Sequence, residues 1–123
     1  MEIDFIWTVG NENLLRALRE SLQNERKHKA DFVTHLAEVD RRLLYAEKGY
    51  PSLLMFCMKE LNLSQSIALK RIQLARLSRR FCAVPKIIRS GKISLTALLK
   101  LAPHLTQYNL NAVLDNNLQR GDF

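Results

Sequence analysis

At 123 residues, 47% hydrophobic and 25% charged, the chain is one globular domain's worth of protein, which excludes wholesale disorder and a large second core. Its formal charge of +7 is concentrated: the stretch from Leu61 to Leu114 holds nine Lys and Arg and no acid, while the remaining 69 residues hold ten against all twelve acids. Met1 to Gly10 lacks an apolar run fit for a signal peptide, no stretch reaches the roughly 18 to 20 apolar residues of a membrane span, and Cys57 and Cys82 form neither a disulfide scaffold nor a metal-ligand spacing. The expectation is a cytoplasmic, soluble protein with no membrane partner, no metal and no cofactor.

In chain order, Ile3, Phe5, Ile6, Trp7 and Val9 are too apolar for a free tail, and a second copy is one surface they can pack on. From Asn11 or Asn13 a helical pattern runs to about Glu47. Leu15, Leu18, Leu22, Glu25, Lys29, Phe32, Leu36, Val39 and Leu43 follow three- and four-residue spacing, interrupted by the polar positions Glu25 and Lys29. Unbroken, this helix would be roughly 50 Å long. Two readings stand: two core-facing halves of one amphipathic helix, or a homodimer seam carried by Leu15, Leu18, Leu22, Phe32, Leu36 and Val39. Residues 1–48 are thus a possible dimerisation element continuous with a second segment, 49–123.

Gly49-Tyr50-Pro51-Ser52 ends one helix and starts another, with Gly suited to a left-handed C-terminal position and Ser or Pro to a helix start. Leu53 to Met58 is apolar throughout, which predicts a short helix buried nearly all round. Asn62 and Leu63 make a turn, Ser64 caps a helix reaching about Arg80, and a further helix runs from Pro85 to Gly91. Ser94 caps the next, which Pro103 ends, and Thr106 caps a last helix to about Leu118. Few glycines, few prolines and no convincing strand make this an all-α, multi-helix domain.

The segment Leu54 to Arg80 has the layout of a helix-turn-helix: a short buried helix, a tight turn at Asn62, and a second helix with a polar outer face. Ala68, Ile72 and Ala75 fall on the side that packs on the first helix. Ser64, Gln65, Ser66, Lys70 and Gln73 fall on the other and are the candidates for touching base edges, Gln being able to bond adenine bidentately. Arg76, Arg79, Arg80, Lys86, Arg89 and Lys92 are the candidates for phosphate contacts, so the implied partner is double-stranded DNA. With five to eight such contacts, log K would fall against log salt with a slope of about −5 to −7. Leu69, apolar on the outer face, fits this layout poorly.

Two resemblances sharpen the expectation. Leu61-Asn62-Leu63-Ser64, Arg71-Ile72-Gln73-Leu74-Ala75-Arg76, Val84-Pro85 and Ser90-Gly91-Lys92-Ile93-Ser94-Leu95 resemble the helix-turn-helix core of ParB-type partition proteins over about 45 residues. That likeness implies a DNA-facing side at Ser64, Gln65, Ser66 and Lys70, and Arg71 departs from it because the matching position is usually apolar. Across residues 14–118, His35-Leu36, Glu38-Val39-Asp40-Arg41-Arg42, Gly49-Tyr50, Ser52-Leu53, Phe56-Cys57, Gly91-Lys92 and Leu101-Ala102-Pro103-His104-Leu105-Thr106 look like the helical N-terminal region of bacterial HNH-endonuclease-like proteins. In that family the region precedes a small nuclease module. The resemblance implies the targeting part, or a stand-alone relative, of such a protein.

No catalytic residue is named. His28 and His35 sit seven apart on one helix among Arg26, Lys27 and Lys29, a setting for solvated histidines and not for a metal, and His104 suits a helix end. There is no glycine-rich phosphate loop and no HExxH. Glu38 and Asp40 are expected on the surface, balancing Arg41 and Arg42. The alternative to DNA binding is a helical dimerisation or interaction module whose basic surface meets an acidic partner.

Overall fold

The computed structural model describes residues 7–110, and within them the chain is helical with no strand. Helix α1 spans Asn11–Arg42, α2 Leu44–Glu47, α3 Leu53–Lys59, α4 Gln65–Arg80, α5 Val84–Ser90 and α6 Leu95–Leu101, followed by a 3-10 turn at Ala102–His104. The expectations for residues 1–6 and for a helix continuing over 111–118 lie outside the described residues.

The 32 residues of α1 make a rod about 48 Å long at about 1.5 Å per residue. Its two halves do different things. Ala30, Val33, Leu36 and Ala37 are buried in a core shared with Leu53 and Cys57 of α3, Ala68, Ile72 and Ala75 of α4, Val84 and Ile88 of α5, and Leu98 of α6. Phe32 and Val39 pack against that core. Leu14, Leu15, Leu18 and Leu22, by contrast, are exposed along the first half. The six-residue seam expected from spacing is therefore divided: Leu36 belongs to the core of its own chain, and only Leu15, Leu18 and Leu22 remain free to meet another surface. Both segments, 1–48 and 49–123, contribute to one core.

The first helix does not run through to Glu47. It ends at Leu43, which adopts a left-handed conformation (φ 57°) while its N–H donates back to the Asp40 carbonyl at 3.2 Å. A left-handed residue with a Cβ is strained by roughly 1–2 kcal/mol, a cost Gly would not carry. The turn it makes brings Tyr45 of α2 onto the core. Gly49 takes φ +90° a few residues later, so the left-handed end expected there exists as a second turn.

Helix starts follow local chemistry. The hydroxyl oxygens of Ser52, Ser64 and Ser94 accept from the N–H groups of Met55, Ile67 and Ala97 at 3.1, 3.2 and 3.1 Å, satisfying donors that a first turn leaves unpaired. Thr106 and Asn109 cap reciprocally: Thr106 Oγ1 accepts from the Asn109 N–H at 3.1 Å, and Asn109 Oδ1 from the Thr106 N–H at 2.6 Å. His104 ends the 3-10 turn, its carbonyl accepting from Asn109 Nδ2 at 2.9 Å.

Helix α3 is less enclosed than its composition predicts. Leu53 and Cys57 are buried, whereas Leu54, Met55, Phe56 and Met58 are half-buried, because seven residues flanked by loops present one face to α4 and the rest to the surface. Burial of Cys57 pushes its thiol pKa up. Tyr50 packs edge-on against Phe56 with ring centroids 5.6 Å apart, and its hydroxyl donates to the Glu60 carboxylate, a hydrogen bond that pushes the Tyr50 pKa up. The ring therefore ties the entry of α3 to the residue that ends it.

Candidate nucleic-acid interface

The turn between α3 and α4 depends on Asn62, which sits at φ 56°. Asn visits this region more readily than other side-chain-bearing residues, and here it lets the Leu63 N–H return to the Cys57 carbonyl at 3.1 Å. Ser64 then starts α4. Because Ala68, Ile72 and Ala75 face inward, the opposite side of α4 is fixed by helical geometry as an outward strip.

Gln65, Ser66, Leu69, Lys70 and Gln73 line one shallow hollow on that strip, about 580 Å³. Gln73 also lines a second, about 350 Å³, with Arg76, Leu77, Arg80 and, from the far wall, Leu99, Ala102 and Pro103. The two hollows share Gln73 and so adjoin along α4, the first edged by amides, a hydroxyl and Lys70, the second more apolar because buried Leu77 and the α6 side wall it. The helix α6 wall was not anticipated, since nothing in local spacing tells which later helix folds back beside α4. Leu69 lies within the strip, exposed, flanked by amide and hydroxyl groups. Ser64 is exposed at the head of the strip, with its hydroxyl oxygen engaged in capping.

The basic residues divide into three groups. Lys70, Arg76 and Arg80 line the strip. The Arg80 guanidinium lies 5.1 Å from the centroid of the Phe81 ring, a cation–π contact that orients it. Lys86, Arg89 and Lys92 are exposed on α5 and the turn after it, and line neither hollow. Arg79 turns toward α1. Its Nη1 donates to Asp40 Oδ2 at 3.0 Å, and Arg76 Nε approaches the same oxygen at 3.4 Å.

Asp40 corrects the expectation that it balances Arg41 and Arg42. Its side chain is only 7% exposed and faces α4. Glu38 alone takes the expected role, its carboxylate accepting from Arg41 and Arg42 at 2.7 Å, which holds its pKa down at about 2. A signal for Asp40 was present in the sequence: it follows Val33, Leu36 and Ala37 at inward-facing helical spacing, opposite a stretch rich in arginine and free of acid. Arg71, the departure from the ParB-like pattern, is half-buried beside Phe32, Leu63 and Ile67, and desolvation lowers its pKa.

His28 and His35 are exposed on α1, and among the described residues no three His, Cys, Asp or Glu side chains are grouped to hold a metal ion. Among the same residues no helix is long and apolar enough to cross a membrane. Comparison with protein-family models, with curated proteins and with solved structures gives no match.

Proposed function

We propose that this chain is a duplex-DNA-binding helix-turn-helix domain, non-catalytic in itself, acting as a homodimer. The observation that carries the reading is the exposed strip of α4, on which Gln65, Ser66, Lys70 and Gln73 share one hollow and Arg80 lines the adjoining one. Amides and hydroxyls in the first turns of such a helix suit base edges, and arginines farther along suit the backbone. The resemblances to ParB-type helix-turn-helix cores and to the helical region of HNH-endonuclease-like proteins point the same way, as the targeting part or a stand-alone relative.

Internal pairing reduces the charge free for phosphates. Arg76 and Arg79 share Asp40, and Arg71 is half-buried against α1, so among the described residues Lys70, Arg80, Lys86, Arg89, Lys92 and Lys100 are the exposed cations of the acid-free stretch without such a commitment. With four to six phosphate contacts per copy, log K falls against log salt with a slope of about −7 to −11 for the dimer, or about −4 to −5 for each copy. The slope per copy is shallower than the charge count alone implies. The test is a salt titration of binding to duplex DNA. Absence of binding at 50 mM salt, or binding indifferent to salt, overturns the proposal and favours an acidic protein partner.

A further inference from the structure

We infer that two copies of this chain pair antiparallel along the exposed half of α1, centred on Leu18, and that Trp7 of each copy fills a groove on the other. The inference rests on the homodimer proposed above and supplies its orientation, contacts and spacing; it is independent of whether DNA is the ligand.

The surface is defined by spacing. Leu14, Leu18 and Leu22 recur every four residues on one side of α1, with Leu15 beside them, and Leu18 is 64% exposed. That side continues through Glu25 and Lys29 to Phe32, where α1 meets the body of the domain. At that junction lies a mainly apolar groove of about 320 Å³, lined by Phe32, Leu63 and Ile67 together with the polar side chains of Glu25, His28, Lys29 and Arg71. Trp7, the only tryptophan in the chain, is 86% exposed just before α1 begins.

Charge selects the direction. With the helices antiparallel and Leu18 on the two-fold axis, Leu14 faces the partner's Leu22, twice. Glu25 faces the first turn of the partner's α1, whose preceding residue, Gly10, has no side chain to cap it. A parallel, in-register pair would instead stack Glu25 on Glu25 and Lys29 on Lys29, like charges at close range. In the antiparallel register the partner's Trp7 comes level with Lys29, which lines the groove. Its indole can lie on Phe32 and Ile67 with the cations of Lys29 and Arg71 near its face. Two buried tryptophans contribute roughly 300–500 Å² toward the roughly 1,200 Å² at which stable interfaces begin. The leucine rows supply much of the remainder.

The pairing also sets a distance. The start of α4 lies beside the His28–Phe32 turn of α1, since Ile67 and Arg71 share the groove with those residues. From Leu18 to that turn is 10 to 14 residues, so the two α4 starts are separated along the rod by about 30 to 42 Å at about 1.5 Å per residue. One helical repeat of duplex DNA, roughly 34 Å, falls inside that interval.

The test uses the full chain in a Cys82→Ser background, because Cys82 is exposed. Mixing Leu14→Cys chains with Leu22→Cys chains under mild oxidation should cross-link one to the other. Leu14→Cys alone should not cross-link, because in this register two such residues lie about 12 Å apart along the rod, beyond disulfide reach. Tryptophan emission of the wild type should shift to the blue as concentration rises through the dissociation constant. Leu18→Gln should weaken dimerisation at least about a hundredfold, since both copies lose a buried leucine, with the helical circular dichroism retained. Sedimentation showing the wild type monomeric at tens of micromolar overturns the inference, as does self-cross-linking of Leu14→Cys or emission unchanged on dilution. DNA binding is read separately on Leu18→Gln, so failure of the dimer and failure of the DNA reading give different results.

Discussion

Asp40 and Arg79 are 39 positions apart in sequence, yet the guanidinium of one donates to the carboxylate of the other at 3.0 Å, joining the end of α1 to the last turn of α4. The acid is buried and the arginine is half in solvent, so the contact couples the fold to the electrostatics of the exposed strip. Asp40→Asn keeps the shape and removes the charge. It should lower stability by roughly 1–3 kcal/mol, the range for hydrogen bonds to charged groups, discounted because Arg76 and Arg79 stay hydrated. It should also steepen the salt dependence of DNA binding by about two units per copy, because two arginines are released toward phosphate. Denaturant melts and binding isotherms at several salt concentrations check both parts.

Base contact and charge are separable at Gln65 and Arg80. Gln65→Ala should cost about 1–3 kcal/mol on a selected site and little on random duplex. Arg80→Ala should weaken both alike and flatten the salt slope by about one unit. Paired binding curves for each variant decide this; equal losses on both DNAs in both variants would leave a basic scaffold and no sequence reader.

Two left-handed positions should respond oppositely to small changes. Leu43 is 54% exposed at φ 57°, so Leu43→Gly should stabilise by about 0.5–1 kcal/mol, the strain relieved less the entropy cost of Gly. Gly91 closes α5 at φ 68°, and a Cβ there would come within 2.2 Å of Arg26 Nε. Gly91→Ala should therefore destabilise by about 1–2 kcal/mol, with Gly91→Ala/Arg26→Ala losing less than the two single changes summed. Thermal melts of the four variants test the set.

The Glu38 carboxylate is held near pKa 2 by hydrogen bonds from Arg41 and then Arg42, against an ordinary value of 4.5. A folded value below the unfolded one means its contribution is present above about pH 4.5 and disappears as pH falls toward 2. The melting temperatures of wild type and Glu38→Gln should therefore converge across that window. The carboxylate is open to solvent on the surface of α1, so the separation should shrink with added salt as well.

The sequence by itself determined the serine-capped helix starts, the turn at Asn62 and the inward face of α4, but not the end of α1 at Leu43. Ser52, Ser64 and Ser94 cap, Asn62 turns left-handed and Ala68, Ile72 and Ala75 face inward because these outcomes depend on chemistry within four residues or on helical periodicity. Tertiary structure alone decided which part of a uniform spacing pattern is core. Leu18 and Leu36 occupy equivalent positions in the α1 repeat, and only the second is covered, since α4 and α5 reach no farther along the rod than about Arg26. It likewise decided that Asp40 answers Arg76 and Arg79 and not its neighbours Arg41 and Arg42. Local sequence ranks partners by spacing along the helix, but a buried carboxylate must take whichever cation the packing of α4 brings within reach, because leaving it unpaired in the core costs more than any surface pairing returns.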